Sequence, residues 1–107
     1  MNSNCCMVLT TTQSIEKANI IIKALFEAEL AACIQTMPIQ SHYLWEGELC
    51  KEEEVLLIIK TLCTSYAVLE SEISRLHEYD VPQIVQVPFT DGLNPYFEWI
   101  RSSVKGK

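Results

Sequence analysis

The 107-residue chain reads as an α+β domain of ferredoxin-like topology, βαββαβ with an added C-terminal helix. Three observations lead there. Apolar runs of strand length alternate with stretches of helical periodicity, in the order strand, helix, strand, strand, helix, strand, helix. The second and third strand runs meet at a short turn holding Gly47, as in a hairpin. A hydrophobic fraction of 49% with three glycines and four prolines excludes a disordered or low-complexity chain.

Residues 5–11, CCMVLTT, are short, apolar and β-branched at the end, which predicts a buried strand. Ser14 supplies an N-cap oxygen and Glu16 suits the positive end of a helix whose Ala18, Ile21, Ile22, Leu25 and Phe26 recur at helical spacing, running to about Leu30. A strand follows from Cys33 to Trp45. Pro38 within it removes a ladder donor and calls for a bulge or a sheet edge. Glu46, Gly47 and Glu48 form the turn, and VLLIIKT after Glu54 is a strand buried on both faces or nearly so. Thr64 or Ser65 caps a second helix with Leu69, Ile73 and Leu76 on one side. IVQVPF, residues 84–89, is the fourth strand, with Pro88 near an edge. Asn94 and Pro95 make an N-cap and first turn for a last helix turning Tyr96, Trp99 and Ile100 inward. This topology covers one sheet face with helices and leaves the other open. The strands are too apolar for that face to meet water, so another subunit is expected against it.

Length alone predicts one domain spanning residues 1–107. Eight basic against fourteen acidic residues give a net charge of −6, a field that repels phosphate backbones; no nucleic-acid partner is expected. No apolar run approaches the roughly 20 residues of a membrane helix. The five cysteines include no CxxC and are read as reduced thiols of a cytoplasmic protein. Cys5 and Cys6, adjacent on a strand, point to opposite faces.

No GxSxG, HExxH or glycine-rich phosphate loop is present, and no enzyme is predicted. His77, in RLHEYDVP, is either a helix-capping histidine, where the negative helix end favours its charged form, or a ligand for copper or zinc beside Glu78 and Asp80. Glu52, Glu53 and Glu54 lack the spacing of a calcium loop and read as a solvated strand entry. Tyr43 and Trp45 share a strand face and either floor a pocket or pack in a core or interface. Lys60 points to an edge or a cleft, or surfaces its ammonium.

LAAC at 30–33, YLWEG at 43–47, EVLLIIKT at 54–61 and HEYDVPQI at 77–84, the last similar to an HPYxxPE pattern, together resemble the CutA divalent-cation-tolerance family over nearly the whole chain. The resemblance implies a ferredoxin-like subunit in a tight homotrimer, with long hairpins joining sheets across subunits, no enzymatic activity, and a role in copper tolerance. It also implies a likeness to the PII signalling proteins, hence an alternative in which Trp45, Glu46, Lys60 and Tyr79 line a ligand pocket between subunits. A tethering role ranks behind both. Of the ligands described in enterobacterial relatives, a cysteine becomes Thr10 and the first of two histidines becomes Leu76, while the second survives as His77. Glu78, in place of the usual proline, adds a carboxylate beside it. The expected metal ligands are thus His77 and Glu78, for Cu(2+) or a similar divalent ion.

Overall fold

The computed structural model describes residues 4–105; residues 1–3 and 106–107 of the expected domain lie outside them. Four strands, β1 (Cys5–Thr12), β2 (Cys33–Trp45), β3 (Glu48–Leu62) and β4 (Ile84–Pro88), form an antiparallel sheet in the order β2-β3-β1-β4. Helices α1 (Ile15–Glu27), α2 (Tyr66–Leu76) and α3 (Asn94–Ser103) complete the expected order. The α+β ferredoxin-like reading is therefore correct.

Strand alternation decides which side chains form the core. Cys6 and Val8 of β1 and Leu57 and Ile59 of β3 point to one face, where they pack against Ala18, Ile21 and Leu25 of α1 and Leu69 and Ile73 of α2. The helix residues recur at the three- and four-residue steps that bring one stripe inward. The Thr61 hydroxyl, fully buried, donates to the Leu30 carbonyl at 2.7 Å and so ties β3 to the chain leaving α1.

Three expectations about the elements need correction, and one more, the bulge or edge at Pro38, is met in its second form. First, α1 stops at Glu27 rather than near Leu30. Leu30 N–H bonds Leu25 O and Glu29 N–H bonds Phe26 O, a Schellman closure with Glu29 at φ 58 where glycine is usual. Pro38 causes no bulge, because the β2–β3 register runs unbroken from Cys33↔Lys60 to Trp45↔Glu48; the expected edge position is found. Second, the hairpin turn is two residues long, Glu46 (φ 52) and Gly47 (φ 81), with Glu48 already in β3. Positive φ at both positions matches the right-handed twist of the flanking strands. Third, neither α2 nor α3 has a side-chain cap; a 3-10 turn, Cys63–Ser65, leads into α2 instead.

The second sheet face is not wholly open, since α3 covers one end of it. Phe97, Ile100 and Val104, at steps of three and four, pack on Cys5 and Leu62. Tyr96 lies partly against this cluster, but Trp99 projects from the far side of the helix, 45% exposed and stacked on Tyr96 at 5.8 Å. Gly92 allows the approach: a Cβ there would stand 2.4 Å from the Phe97 ring. Beyond α3 the face carries Met7, Leu9, Leu56 and Ile58, half-buried, and the exposed Val85 and Val87.

Ile59→Ala removes a fully buried side chain from the central strands and should destabilise by ~2–5 kcal/mol in denaturant unfolding. Glu29→Gly relieves the left-handed strain and should stabilise by up to about 1 kcal/mol in the same experiment.

Candidate functional site

The loop after α2 carries most of the predicted site. His77 leaves the helix in an extended conformation, φ −78 and ψ 145, and its ring turns away from the helix end towards β1. Nε2 lies 2.7 Å from the Thr11 carbonyl oxygen, and Nδ1 lies 3.1 Å from the backbone nitrogen of Tyr79. A carbonyl only accepts and an amide N–H only donates, so Nε2 carries the proton and Nδ1 offers its lone pair. These two bonds define one tautomer and hold the ring against β1 rather than over the helix end.

Tyr79 continues the same loop. Its hydroxyl donates to Glu54 Oε2 at 2.8 Å, and Ser41 Oγ donates to Glu54 Oε1 at 2.6 Å. Burial first, then the hydrogen bond and charge of Glu54, push the Tyr79 hydroxyl well above its ordinary pKa. Val55 packs into the helix-covered core, so Glu54 belongs to the opposite face. The loop thus binds the end of β1 through His77 and the middle of the hairpin through Tyr79. The His77 and Tyr79 rings lie 4.8 Å apart.

Glu78 faces elsewhere: its carboxylate lies 3.9 Å from Lys17 Nζ on the first turns of α1, a weak pair. Asp80 is exposed. Thr10 is fully buried, and its hydroxyl has no hydrogen-bond partner among the described residues. Among the described residues no group of three His, Cys, Asp or Glu side chains converges.

The other predicted binding residues do not meet Tyr79 within one chain. Trp45 and Glu46 occupy the hairpin tip, where Trp45 is 64% exposed. Lys60 lies at the far end of β3, its Nζ 5.6 Å from the centre of the Tyr96 ring. The twelve residues from Glu48 to Lys60 correspond to ~40 Å of strand. An open depression of about 450 Å³ beside the hairpin is lined by Gln13, Pro38, Ile39, Gln40, Glu53, Glu54 and Val55, and so by none of Trp45, Glu46 and Lys60.

Glu54 and Thr11 were missed as site residues. The signal for Glu54 was present in the alternation, because stepping back from Leu56 places it on the same face and not in a uniformly solvated acidic run. Thr11 contributes only its carbonyl, which no side-chain pattern could single out.

The description "CutA1 divalent ion tolerance protein" fits residues 6–103. The chain belongs to this family. It is 40% identical over 98 residues to the divalent-cation tolerance protein CutA of Thermus thermophilus, covering 91% of this chain and 95% of that protein. The solved structure of the periplasmic divalent cation tolerance protein CutA from Archaeoglobus fulgidus superposes with a TM-score of 0.91 at 34% identity, covering 94% of this chain and 99% of that one. CutA1 from Oryza sativa also gives 0.91, at 33% identity, covering 96% and 95%. Within this CutA1 fold the loop carrying His77 and Tyr79 is tied to β1 through the Thr11 carbonyl and to β3 through Glu54.

Tyr79→Phe removes a hydrogen bond to an ionised carboxylate and should destabilise by ~1.5–3 kcal/mol in denaturant at pH 7. Because the folded state holds the Tyr79 proton more tightly than the unfolded chain, this contribution is complete below the ordinary tyrosine pKa and is lost as pH rises above it. Unfolding measured from pH 8 upward should therefore show a shallower alkaline decline in Tyr79→Phe than in the wild type.

Proposed function

We propose that the protein is a homotrimer of the cytoplasmic response to divalent metal ions, and that it binds copper or a similar ion through Nδ1 of His77, with Glu78 as the neighbouring carboxylate. It is read as a binding protein rather than an enzyme. The observation that carries the metal assignment is the hydrogen bond from His77 Nε2–H to the Thr11 carbonyl. A histidine that ligates a metal characteristically donates its other ring N–H to a carbonyl or carboxylate, which fixes the tautomer and raises the basicity of the ligating nitrogen. The other ring nitrogen, Nδ1, accepts from the Tyr79 amide, which a bound ion would displace.

The donor set fits in type. Imidazole and carboxylate suit Cu(2+), and Glu78 is held only by a 3.9 Å pair with Lys17. Thr10 and Leu76 offer no soft donor, so the remaining ligands would come from Asp80, water or a neighbouring subunit.

Assembly rests on the uncovered apolar surface. Val85, Val87, Leu9 and Ile58 form a strip across β4, β1 and β3, and Leu44, Trp45 and Leu49 project at the hairpin tip. Surfaces of this kind need a partner. A three-fold arrangement that places each hairpin against the next sheet would cover both. It would also supply the one route by which Trp45 and Glu46 could approach another subunit's Lys60, as the alternative reading of an intersubunit ligand pocket requires. Reduced cysteines suit the cytoplasm.

Copper titration followed by calorimetry should give affinity weaker by about tenfold or more in His77→Gln than in the wild type, on the scale of losses at metal shells. Equal affinities would remove His77 from the site. In sedimentation at micromolar concentration the wild type should run as a trimer and Val85→Glu as a smaller species; a monomeric wild type would overturn the assembly.

A further inference from the structure

Two of the five thiols face one another at the end of β1 remote from His77. Cys6 is fully buried on the helix-covered face, with Thr61 and Pro88 as its register partners. Past Leu62 the β1–β3 ladder takes one further step, in which Cys63 N–H donates to the Asn4 carbonyl at 2.8 Å. Alternation then puts the Cys63 side chain on the face of Thr61 and Cys6. Cys63 packs against the buried cluster that contains Cys6. The other thiols are directed elsewhere: Cys5 Sγ lies 3.8 Å from the Phe97 carbonyl under α3, Cys50 Sγ lies 3.9 Å from the Glu48 carbonyl, and Cys33 belongs to the opposite face from Cys6.

We propose that Cys6 and Cys63 form a two-sulfur site for a soft monovalent cation, Cu(I) or Ag(I). Ligand number and softness select this class. Among the described residues no third His, Cys, Asp or Glu joins the pair, so a zinc shell of four ligands cannot be built. Hard divalent ions take oxygen, which neither residue supplies from its side chain. Thiolates favour Cu(I), and ions of its electron configuration accept two ligands in a line. Spacing agrees. Cys6 and Cys63 are diagonal neighbours across an antiparallel pair, where Cα atoms stand ~7–8 Å apart. That exceeds the roughly 4.4–6.8 Å of a disulfide and leaves room for an ion between the sulfurs.

Binding exchanges two thiol protons for one cation: both S–H bonds break, two S–metal bonds form, two protons leave, and the bound group carries one negative charge. The metal-free pair tolerates burial because it is neutral. Burial, with Cys63 next in effect, pushes the Cys6 thiol up to about 12. The charge of the loaded pair is favoured by α2, which starts three residues after Cys63 and presents its positive end there. Cys63 is only half-buried and gives the ion a way in. The pair is independent of the proposed divalent site, since Cys6 and Thr11 are five residues apart on β1, or ~17 Å.

The test is competition of the full-length protein against a chromogenic Cu(I) chelator under anaerobic reducing conditions, repeated with Ag(I). The wild type and His77→Gln should each withdraw one Cu(I) per chain and develop an ultraviolet sulfur-to-copper band. Cys63→Ser and Cys6→Ser should lose at least tenfold in affinity together with the band, while Cys33→Ser/Cys50→Ser retains both. Should Cys6→Ser fail to fold, the half-buried Cys63→Ser decides alone. Wild-type affinity in Cys63→Ser, loss in Cys33→Ser/Cys50→Ser, or no Cu(I) uptake by the wild type would each overturn the site.

Discussion

The pairing of β1 with β3 is the constraint on which the rest of the molecule depends. It joins two strands that are far apart in sequence, and its register, Cys5↔Leu62 to Thr12↔Val55, decides which side chains face the helices. Shifting β3 by one residue against β1 would exchange Leu57 and Ile59 for Ile58 and Lys60 in the core. A lysine would then be buried under α1 and α2, at a cost of several kcal/mol unless it were paired or neutralised. The hydrophobic pattern of both strands thus excludes a one-residue shift, and β2 and β4 add to edges already defined.

Both polar arrangements inherit their geometry from that register. At one end of β1 the Thr11 carbonyl holds the His77 ring, and Glu54, just beyond the last β1–β3 pair, holds Tyr79. The loop between them is therefore fastened at two points of the sheet. At the other end the extra ladder step through Asn4 and Cys63 brings a second thiol over Cys6. A residue placed by a paired strand is held more closely than one on a free loop, which matters for groups that must converge on an ion.

The strands were legible because their apolar residues alternate or run together over lengths that only strands tolerate; VLLIIKT and CCMVLTT needed no further information. Helix stripes were equally plain where Ala18, Ile21 and Leu25 recur, and the hairpin announced itself through Gly47. Element ends were less legible because competing local chemistry decides them. Glu29 occupies a left-handed closing position that composition assigns to glycine, and the α2 start relies on a 3-10 turn rather than on Ser65. The facing of α3 was misread for a related reason: Trp99 is the most apolar-looking candidate by size, yet the stripe that meets Cys5 and Leu62 passes through Phe97. At the site His77 was visible by residue type, whereas its tautomer depends on a backbone carbonyl contributed 66 positions away.

On the two proposals made above, the ends of β1 would also differ in the ions they discriminate. An imidazole nitrogen favours Cu(2+) over alkaline-earth ions, but by itself holds the reduced ion poorly, because Cu(I) prefers sulfur. A buried thiol pair has the opposite bias and excludes hydrated divalent ions, whose removal from water Cys6 and Cys63 could not offset with only two ligands. Thr10 fits this division. The hydroxyl at position 10 leaves the His77 end without a soft donor, while the sulfur donors of β1 lie at its start. Oxidation state rather than ion size would then decide which end of the strand an ion occupies, and a single core strand would position both sites without their sharing a ligand.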